Sequence, residues 1–395
     1  MLRVLHLLKT AVGASWALRQ TTELVKLGIE VHLALPEGPM VKRYKDAGVL
    51  VHIFDPSIAL THPWQNIAKV KQLRKIVEKV KPDIIHSHFV ATTLLMRLAL
   101  RGYAIPRIFH VPGPLHLEHW TFRRAELASA NGDDYWLASC LWTRDAYKSY
   151  GIDSHRVGLA YYGVNEDDFS FTSAKDDSLV SQLGLAQDTF IVGMVAYFYG
   201  PKSYLGQKRG LKGHEDLIDA IAIVRERHRN VKCIFVGGPW AGADKYFTQV
   251  QRYAQLQAPD GCVFLGLRND VPKLYPQFDL AVHPSHSENV GGAVESMYAG
   301  VTTLTSNVGG FPDLVEDGVT GYMAPAKAPA LLAEKIIQAI EHPQERKKLI
   351  ANANIRVANI MNVQHNAQQI TDFYQHVLKQ RASVVVSPQR RNRNA

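Results

Sequence analysis

The chain has 395 residues, of which 46% are hydrophobic and 21% are charged, and its formal net charge is +9. Its length suits two domains better than a single core, and its composition is that of an ordinary globular protein. Because no apolar run approaches the ~18–20 residues of a membrane-spanning helix, the sequence excludes a span of that kind.

The positive charge is not confined to one end of the chain. Residues 381–395 are predicted to form a disordered basic tail, and removing its four arginines lowers the net charge from +9 to +5. The body is therefore basic in its own right. A basic surface attracts nucleic acid, anionic lipid or anionic substrates, and charge alone does not choose among them.

The first half of the chain alternates apolar strands with helices. A strand at 3–8, a helix at 15–27 that ends at Gly28, and a strand at 30–35 open the series. Further strands are predicted at 83–88, 108–111, 136–139 and 157–160. This alternation indicates a parallel sheet with helices on both faces, in an N-terminal domain of residues 1–170.

A polar stretch over residues 171–188 interrupts this pattern and predicts an interdomain linker. The alternation then restarts in a second domain over 189–360. Its predicted elements are a helix at 214–227 and strands at 190–195, 232–236, 263–265, 280–283 and 301–304. The sequence therefore predicts an α/β protein with two doubly wound, Rossmann-like domains facing a central cleft.

The most informative segment covers residues 285–325. It places two carboxylates, Glu288 and Glu295, around the pair Gly291 and Gly292, between a short apolar strand and a predicted helix. A strand, a glycine loop and a helix N-terminus together present backbone N–H groups to an anion. Carboxylates beside them suit a ligand that carries both phosphate and hydroxyl groups, such as a nucleotide sugar.

This segment resembles the donor-binding signature of the retaining, GT-B-fold glycosyltransferases of family four. The run from Ser306 to Gly321 matches the family's GG-x-P-[ED]-x-V-x-x-G-x-x-G pattern. The family has seven residues between the two glutamates, whereas six separate Glu288 from Glu295 here. Keeping seven would place Ser287 at the first position; we expect Glu288 there, with a one-residue deletion in the loop.

The resemblance extends over residues 1–380 and implies further donor contacts. Lys212, followed by glycine at a helix start, is expected to neutralise the leaving diphosphate, although alone it would be an ordinary solvated lysine. Glycine turns after strands and the loop between the glutamates are expected to contact the donor. The residues concerned are Gly13, Gly237, Leu267, Asn289, Val290, Gly291 and Gly292, in addition to Glu288 and Glu295.

One departure from the family concerns a phosphate-binding arginine. After the strand that opens the second domain the family has Gly-Arg, whereas this chain has Ala196-Tyr197 and a longer, cation-rich loop. Lys202, Lys208 or Arg209 could supply the missing charge, and the sequence does not choose among them.

The resemblance implies that the first domain carries the acceptor side. His110 matches the family histidine that faces the reacting sugar, so the implied catalytic residues are His110, Lys212 and Glu288. The acceptor candidates that follow His110 are His116, Glu118, Trp120, Arg123 and Arg124. The alternative interpretation of these residues is that they form an ordinary helix face exposed to solvent. In the family the last helix returns to the first domain, and residues 361–380 are the candidate for it.

No metal or other cofactor is expected. The sequence contains no Asp-x-Asp pair, which glycosyltransferases of the other main architecture use to hold a divalent cation on the diphosphate. Helix termini and cationic side chains are expected to replace that cation. Zinc binding by His110, His116 and His119 is an alternative, but their spacing is not that of a helix-face pair.

Together these features predict a retaining hexosyltransferase. It would move a sugar from a nucleotide-diphosphate sugar to a glycan or lipid-diphosphate-linked acceptor in surface polysaccharide or glycolipid biosynthesis. One alternative is a nucleotide-sugar epimerase or hydrolase of the same architecture. Another is a nucleic-acid-binding or base-glucosylating protein, although the chain lacks a basic module interleaved with aromatic residues.

The location follows from the cysteines and from one basic helix. Cys140, Cys233 and Cys262 are scattered without metal-binding spacing, which indicates reduced thiols in a cytoplasmic protein. The basic helix predicted over 64–81 is expected to turn an apolar stripe to the core. The alternative interpretation is that this helix makes peripheral contact with anionic lipid at the inner face of the plasma membrane.

Overall fold

The computed structural model describes residues 1–165, 178–203 and 206–386. The chain divides into two compact units, which we call unit 1 (Met1–Asn165 with Met361–Ala395) and unit 2 (Glu166–Ile360). Each unit contains one parallel sheet with helices connecting its strands. The predicted α/β class with two doubly wound domains is therefore confirmed.

Unit 1 contains a seven-stranded sheet in the order β3-β2-β1-β4-β5-β6-β7, and all its pairs are parallel. The strands are β1 (Arg3–Leu7), β2 (Glu30–Leu35), β3 (Leu50–Ile53), β4 (Ile84–Ser87), β5 (Arg107–Val111), β6 (Asp134–Ala138) and β7 (Val157–Leu159). The central strands are apolar runs because both faces of the sheet are covered: Val4 packs into one core cluster and Leu5 into another. The order reverses between β1 and β4, which creates a crevice at their carboxyl ends.

The helices of unit 1 pack on both faces of this sheet. They are α1 (Ser15–Lys26), α2 (Val41–Asp46), α3 (Gln65–Val80), α4 (Val90–Ala99), α5 (Leu115–Glu118), α6 (Trp120–Ala128), α7 (Leu141–Ser149) and α16 (Val363–Val386). Helix α3 buries Leu73 and Val77 in the core, as expected of its apolar stripe. Helix α16 packs against α1 and places Ile370 and Tyr374 in the core cluster that also contains Val4 of β1.

Unit 2 contains a six-stranded parallel sheet in the order β10-β9-β8-β11-β12-β13. The strands are β8 (Phe190–Val195), β9 (Val231–Val236), β10 (Cys262–Gly266), β11 (Leu280–His283), β12 (Thr303–Ser306) and β13 (Tyr322–Ala324). The helices are α8 (Ser178–Gln182), α9 (His214–Arg227), α10 (Asp244–Gln257), α11 (Val271–Leu274), α12 (Ala293–Tyr298), α13 (Phe311–Leu314), α14 (Pro329–Glu341) and α15 (Pro343–Met361). The strand order reverses between β8 and β11, so the crevice of this unit lies at their carboxyl ends.

Two edge strands, β3 and β13, are absent from the predicted elements. Leu50 and Ile53 of β3 are about half exposed, so this strand lacks the apolar run that marks the central strands. Strand β13 is only three residues long. Short or half-exposed strands at a sheet edge give a weak sequence signal.

The predicted boundaries can be compared with the described residues only in part. Helix α16 continues to Val386, six residues into the segment predicted as a tail, and residues 387–395 lie outside the described residues. Of the predicted linker, residues 171–177 lie outside them as well, and α8 occupies 178–182. None of the described helices combines the length and apolar character needed to cross a bilayer.

Candidate active site

A cavity of about 330 Å³ lies where the order of the unit 2 sheet reverses. The carboxyl ends of parallel strands at such a reversal are the usual place for a ligand. Its wall contains five of the predicted donor residues, namely Lys212, Gly237, Leu267, Gly292 and Glu295. The structure therefore brings together residues that lie up to 83 positions apart in the sequence.

Lys212 and Glu288 form an ion pair beside this cavity. The turn that carries the lysine lies against the end of β11. Gly213 makes this contact possible, because it adopts φ +75° and because a Cβ there would lie only 2.1 Å from the carbonyl oxygen of Pro284. Glu288, rather than Ser287, is thus the residue that contacts the lysine. The pair therefore places the ammonium group of Lys212 and the carboxylate of Glu288 where one ligand can contact both.

The loop after Glu288 folds back on its carboxylate. The backbone N–H of Asn289 donates to Glu288 Oε1 at 3.1 Å. Gly291 has φ +35°, and a Cβ there would lie 2.8 Å from Glu288 Cδ, so a larger residue would displace the carboxylate. Val290 is buried and packs within the unit. The loop therefore orients Glu288, and Gly292 at its end reaches the cavity wall.

Glu295 lies in the first turn of α12 and lines the cavity. The hydroxyl of Tyr275 donates to Glu295 Oε2 at 3.2 Å. Burial raises the pKa of Tyr275 well above its usual value, so the phenol keeps its proton and acts as a donor to the carboxylate. This contact orients Glu295 at the cavity wall.

The cavity residues with polar side chains that are absent from the predicted site are Tyr197, Tyr199 and Arg268. Arg268 pairs with Asp270 through two contacts, of 2.7 Å from Nε and 2.5 Å from Nη2. The tyrosines flank the buried Phe198 at a spacing of two, which is the signal of an extended segment that continues beyond β8. That alternation is the sequence feature that could have identified them.

The candidates for the missing arginine charge differ in their surroundings. Arg209 is held by two carboxylates, since its Nη1 lies 2.5 Å from Asp216 Oδ1 and 2.7 Å from Asp219 Oδ2. Lys202 and Lys208 are exposed on the loop. Among the described residues, the cavity wall takes its positive charge from Lys212 and Arg268.

In unit 1 the crevice between β1 and β4 is occupied by histidines. His6 and His86 are register partners on these strands, and together with His88 and His110 they are at most 1% exposed. His6 Nδ1 lies 2.9 Å from His88 Nε2, and His86 Nδ1 lies 2.5 Å from the hydroxyl of Tyr374 on α16. Burial lowers the pKa of His6 and of His110 to about 3 and lowers those of the other two well below 6.5, so all four rings are neutral at pH 7.

His110, the predicted catalytic histidine, is enclosed within this cluster. Its ring stacks on Tyr162 with centroids 4.2 Å apart, and its Nε2 donates to the carbonyl oxygen of Ala160 at 3.0 Å. This hydrogen bond fixes the ring against the end of the sheet. Contact between His110 and a reacting sugar stays a prediction.

Three of these histidines bring their ring nitrogens within 4.8 Å of one another, close enough to consider a metal ion. The rings of His6, His86 and His88 stack at interplanar angles of 19–24°. A hydrogen bond already joins His6 Nδ1 to His88 Nε2, and another joins His86 Nδ1 to the hydroxyl of Tyr374, so one nitrogen of each ring is already engaged. We therefore describe the cluster as a hydrogen-bond network and assign it no metal.

The acceptor candidates lie on α5 and α6 of unit 1. Two of them contact neighbouring tyrosines: His116 Nε2 lies 3.1 Å from Tyr147 Oη, and Arg123 donates to Tyr150 Oη at 3.1 Å. The exposed candidates are Glu118, Trp120 and Arg124. The predicted donor residue Gly13 lies on an exposed turn after β1 with φ +66°.

Comparison with known proteins identifies relatives along most of the chain. The E. coli UDP-Gal:alpha-D-GlcNAc-diphosphoundecaprenol alpha-1,3-galactosyltransferase is 24% identical over 359 residues, 84% of this chain and 87% of that protein. The capsular polysaccharide biosynthesis glycosyltransferase CapM of Staphylococcus aureus is 22% identical over 96% of this chain and 98% of its own length. Spore coat protein SA of Bacillus subtilis is 27% identical over 44% of this chain, which covers 48% of that protein.

The fold and the family models lead to the same assignment. The crystal structure of Anabaena HepE in complex with UDP and glucose matches with a TM-score of 0.76 at 22% identity, over 94% of this chain and 99% of that one. The model for Glycosyltransferase Family 4 matches residues 14–168, and that for Glycosyl transferases group 1 matches residues 203–356. Because the two matches cover most of both units, and both units have the doubly wound sheet of a GT-B protein, the chain belongs to the family-four, group 1 glycosyltransferases.

Proposed function

We propose that this glycosyltransferase moves a hexose from a nucleotide-diphosphate sugar to a glycan or lipid-linked acceptor and retains the anomeric configuration. The observation that carries the proposal is the cavity of unit 2, where Lys212, Glu288 and Glu295 meet at the carboxyl ends of the strands. A cation paired with one oriented carboxylate, with a second oriented carboxylate in the same cavity wall, suits a ligand that has phosphate at one point and hydroxyl groups at two others.

Each of the three side chains has a separate role in this proposal. Lys212 stabilises the charge that grows on the diphosphate as it leaves the sugar. Glu295, oriented by Tyr275, accepts hydrogen bonds from the ribose hydroxyls. Glu288 orients Lys212 and contacts the sugar. The departing diphosphate takes the proton of the acceptor hydroxyl, so no protein nucleophile is assigned.

The proposed acceptor is a glycan carried on a lipid diphosphate. The name of the E. coli relative describes transfer to GlcNAc-diphosphoundecaprenol, and that of the S. aureus relative refers to capsular polysaccharide biosynthesis. We infer the same class of pathway, surface polysaccharide or glycolipid biosynthesis, for this chain. Trp120 and Arg124, exposed on α6, are the proposed contacts for such an anionic acceptor, which would place the protein at the cytoplasmic face of the membrane.

Glu295→Ala is expected to weaken nucleotide binding by about 1.5–3 kcal/mol, because a charge-assisted hydrogen bond to the ribose is lost. A panel of nucleoside diphosphates and nucleotide sugars, screened by thermal shift, identifies the nucleotide that stabilises the wild type. Titration calorimetry with that nucleotide then measures the loss of affinity. The matched control is Glu334→Ala, an exposed glutamate of α14. Equal affinities of Glu295→Ala and wild type would remove the ribose assignment.

The same panel tests the function as a whole. If no nucleoside diphosphate or nucleotide sugar stabilises the wild type, the proposed donor site is wrong. Epimerised or hydrolysed nucleotide sugar without any glycosyl product, in the presence of lipid-linked acceptors, would favour the epimerase or hydrolase instead.

Glycosyl transfer is expected to continue in EDTA at an unchanged rate, since Lys212 and backbone N–H groups are proposed to hold the diphosphate and the chain has no Asp-x-Asp pair. The measurement compares initial rates before and after chelation and after addition of magnesium or manganese. Loss of activity in EDTA and recovery with either ion would overturn the metal-free proposal.

A further inference from the structure

We propose that Tyr197, Tyr199 and Trp240, here called the aromatic platform, bind a pyranose ring by stacking on its apolar C–H face. The proposal rests on the proposed glycosyl transfer and adds a carbohydrate subsite to it. The platform stands at the carboxyl ends of β8 and β9, and both tyrosines line the cavity.

The backbone holds the platform in place. Beyond β8 the chain remains extended, and Phe198 forms a parallel bridge with Pro239. The backbone N–H of Phe198 donates to the carbonyl of Gly238 at 3.0 Å, and that of Trp240 donates to the carbonyl of Phe198 at 3.1 Å. These bonds extend the pairing of β8 and β9 and fix the segment of Trp240 beside that of Tyr197.

The direction of the side chains follows from the extended backbone. Phe198 is fully buried, where its ring stacks on His214 with centroids 3.8 Å apart. Because successive side chains of an extended segment point to opposite faces, Tyr197 and Tyr199 share the other face. The backbone after β9 approaches the backbone after β8 closely at Gly237, where a Cβ would lie 2.0 Å from the carbonyl oxygen of Ala196. Glycine permits this approach because it has no Cβ.

The three rings form a contiguous, partly exposed surface. The centroid of Trp240 lies 4.9 Å from that of Tyr197 and 5.7 Å from that of Tyr199. Tyr197 is 42% exposed and Trp240 is 45% exposed, although both are large apolar groups. A rigid, exposed aromatic cluster beside a polar cavity is typical of a binding surface rather than of packing.

A pyranose ring matches this surface better than a nucleobase does. One face of many pyranoses presents mainly C–H groups, while hydroxyls project around the rim and need polar partners. The platform provides the apolar face, and the Lys212–Glu288 pair lies next to it, with Lys212 Nζ 5.9 Å from the centroid of Tyr199. Since Lys212 is assigned to the diphosphate and its partner Glu288 to the sugar, and Tyr199 lies beside this pair, we place the platform on the sugar side of the diphosphate.

The pyranose could belong to the acceptor glycan or to the donor, and one experiment separates these sources. Saturation-transfer difference NMR is recorded with the methyl α-glycosides of glucose, galactose, mannose and N-acetylglucosamine. Each is tested alone, with UDP and with UDP-glucose. We expect transfer to the ring C–H protons of at least one glycoside in the wild type, and an affinity about fivefold or more weaker in Trp240→Ala, as for the loss of one aromatic stack.

Two variants and a control keep the test decisive. Tyr197→Ser is a second platform variant with an exposed side chain, and Trp64→Ala is the control, an exposed tryptophan in unit 1. Thermal denaturation of each variant establishes that it is folded. Displacement of the glycoside by UDP-glucose but not by UDP assigns the platform to the donor sugar. Glycoside binding at a UDP-glucose concentration that saturates the wild type, as measured by thermal shift, assigns it to the acceptor.

Three results would overturn the proposal, two of them in glycoside binding and one in nucleotide binding. The first is the absence of glycoside binding to the wild type, and the second is unchanged glycoside binding in both platform variants. The third is a loss of affinity for UDP alone in Trp240→Ala, which would make the platform a nucleotide contact. Failure of the wild type to bind any nucleotide would instead refute the proposed function, and it is measured separately from glycoside binding.

Discussion

Lys212→Ala is expected to lower kcat by about 100-fold or more, in the range seen when one preorganised electrostatic contact to a transition state is removed. The charge on the leaving diphosphate is larger in the transition state than in the bound donor, so the affinity for nucleoside diphosphate should fall much less than kcat. The structure adds a second cost, because the substitution leaves the part-buried Glu288 without the cation that it contacts.

Steady-state kinetics at saturating donor measure this effect. Lys347→Ala, an exposed lysine of α15 in the same unit, is the control and should match the wild type. Lys212→Arg keeps the charge and should recover part of the rate. An unchanged kcat in Lys212→Ala would show that this lysine does not stabilise the transition state, and Lys202, Lys208 and Arg209 would become the candidates.

The free energy of unfolding of unit 1 is expected to fall steeply as the pH drops below about 6.5, the ordinary pKa of histidine. His6, His86, His88 and His110 are buried and neutral, and burial lowers all four pKa values, to about 3 for His6 and His110. The unfolded chain therefore binds more protons than the folded chain at pH 6.5 and below. Stability is fully present above about pH 6.5 and is lost as the pH falls toward the folded values.

The slope of this loss is the quantity to measure. Each depressed histidine contributes up to about 1.4 kcal/mol per pH unit, so the four together contribute up to about 5 kcal/mol per unit. Urea denaturation between pH 7.5 and 5, followed by tryptophan fluorescence, reports mainly on unit 1 because five of the six tryptophans lie in it.

A comparison of variants assigns the slope to the cluster. His88→Leu should reduce the slope by about 1.4 kcal/mol per pH unit, because the unfolded chain then binds one proton fewer. This reduction is expected whatever the substitution does to the stability at neutral pH. His62→Leu, in an exposed position, should leave the slope unchanged. Equal slopes in wild type and His88→Leu would mean that this ring is protonated in the folded state as readily as in the unfolded chain.

Much of the architecture could be predicted because it depends on local patterns. Strands covered on both faces are continuous apolar runs, so the central strands of both sheets were found, often within one or two residues of their observed ends. The edge strands β3 and β13 were not, because a half-exposed or three-residue strand has no such run. Helix α16 extends beyond its predicted end for a similar reason, since the sequence after residue 380 has no strong helix signal.

The sequence by itself determined the family, the fold class and five of the residues that line the unit 2 cavity, because these depend on short segments with fixed spacing. Only the tertiary structure decided which side chains meet. It paired Lys212 with Glu288, held Arg209 between two aspartates, and enclosed His110 in a histidine network. The lysine and histidine contacts join strands and loops that are distant in the chain, and all three arrangements depend on how the side chains pack in the fold. Local periodicity can show that Tyr197 and Tyr199 share a face, but not that Trp240 lies beside them or that the histidines are buried together. The aromatic platform and the neutral histidines therefore emerged only from the fold.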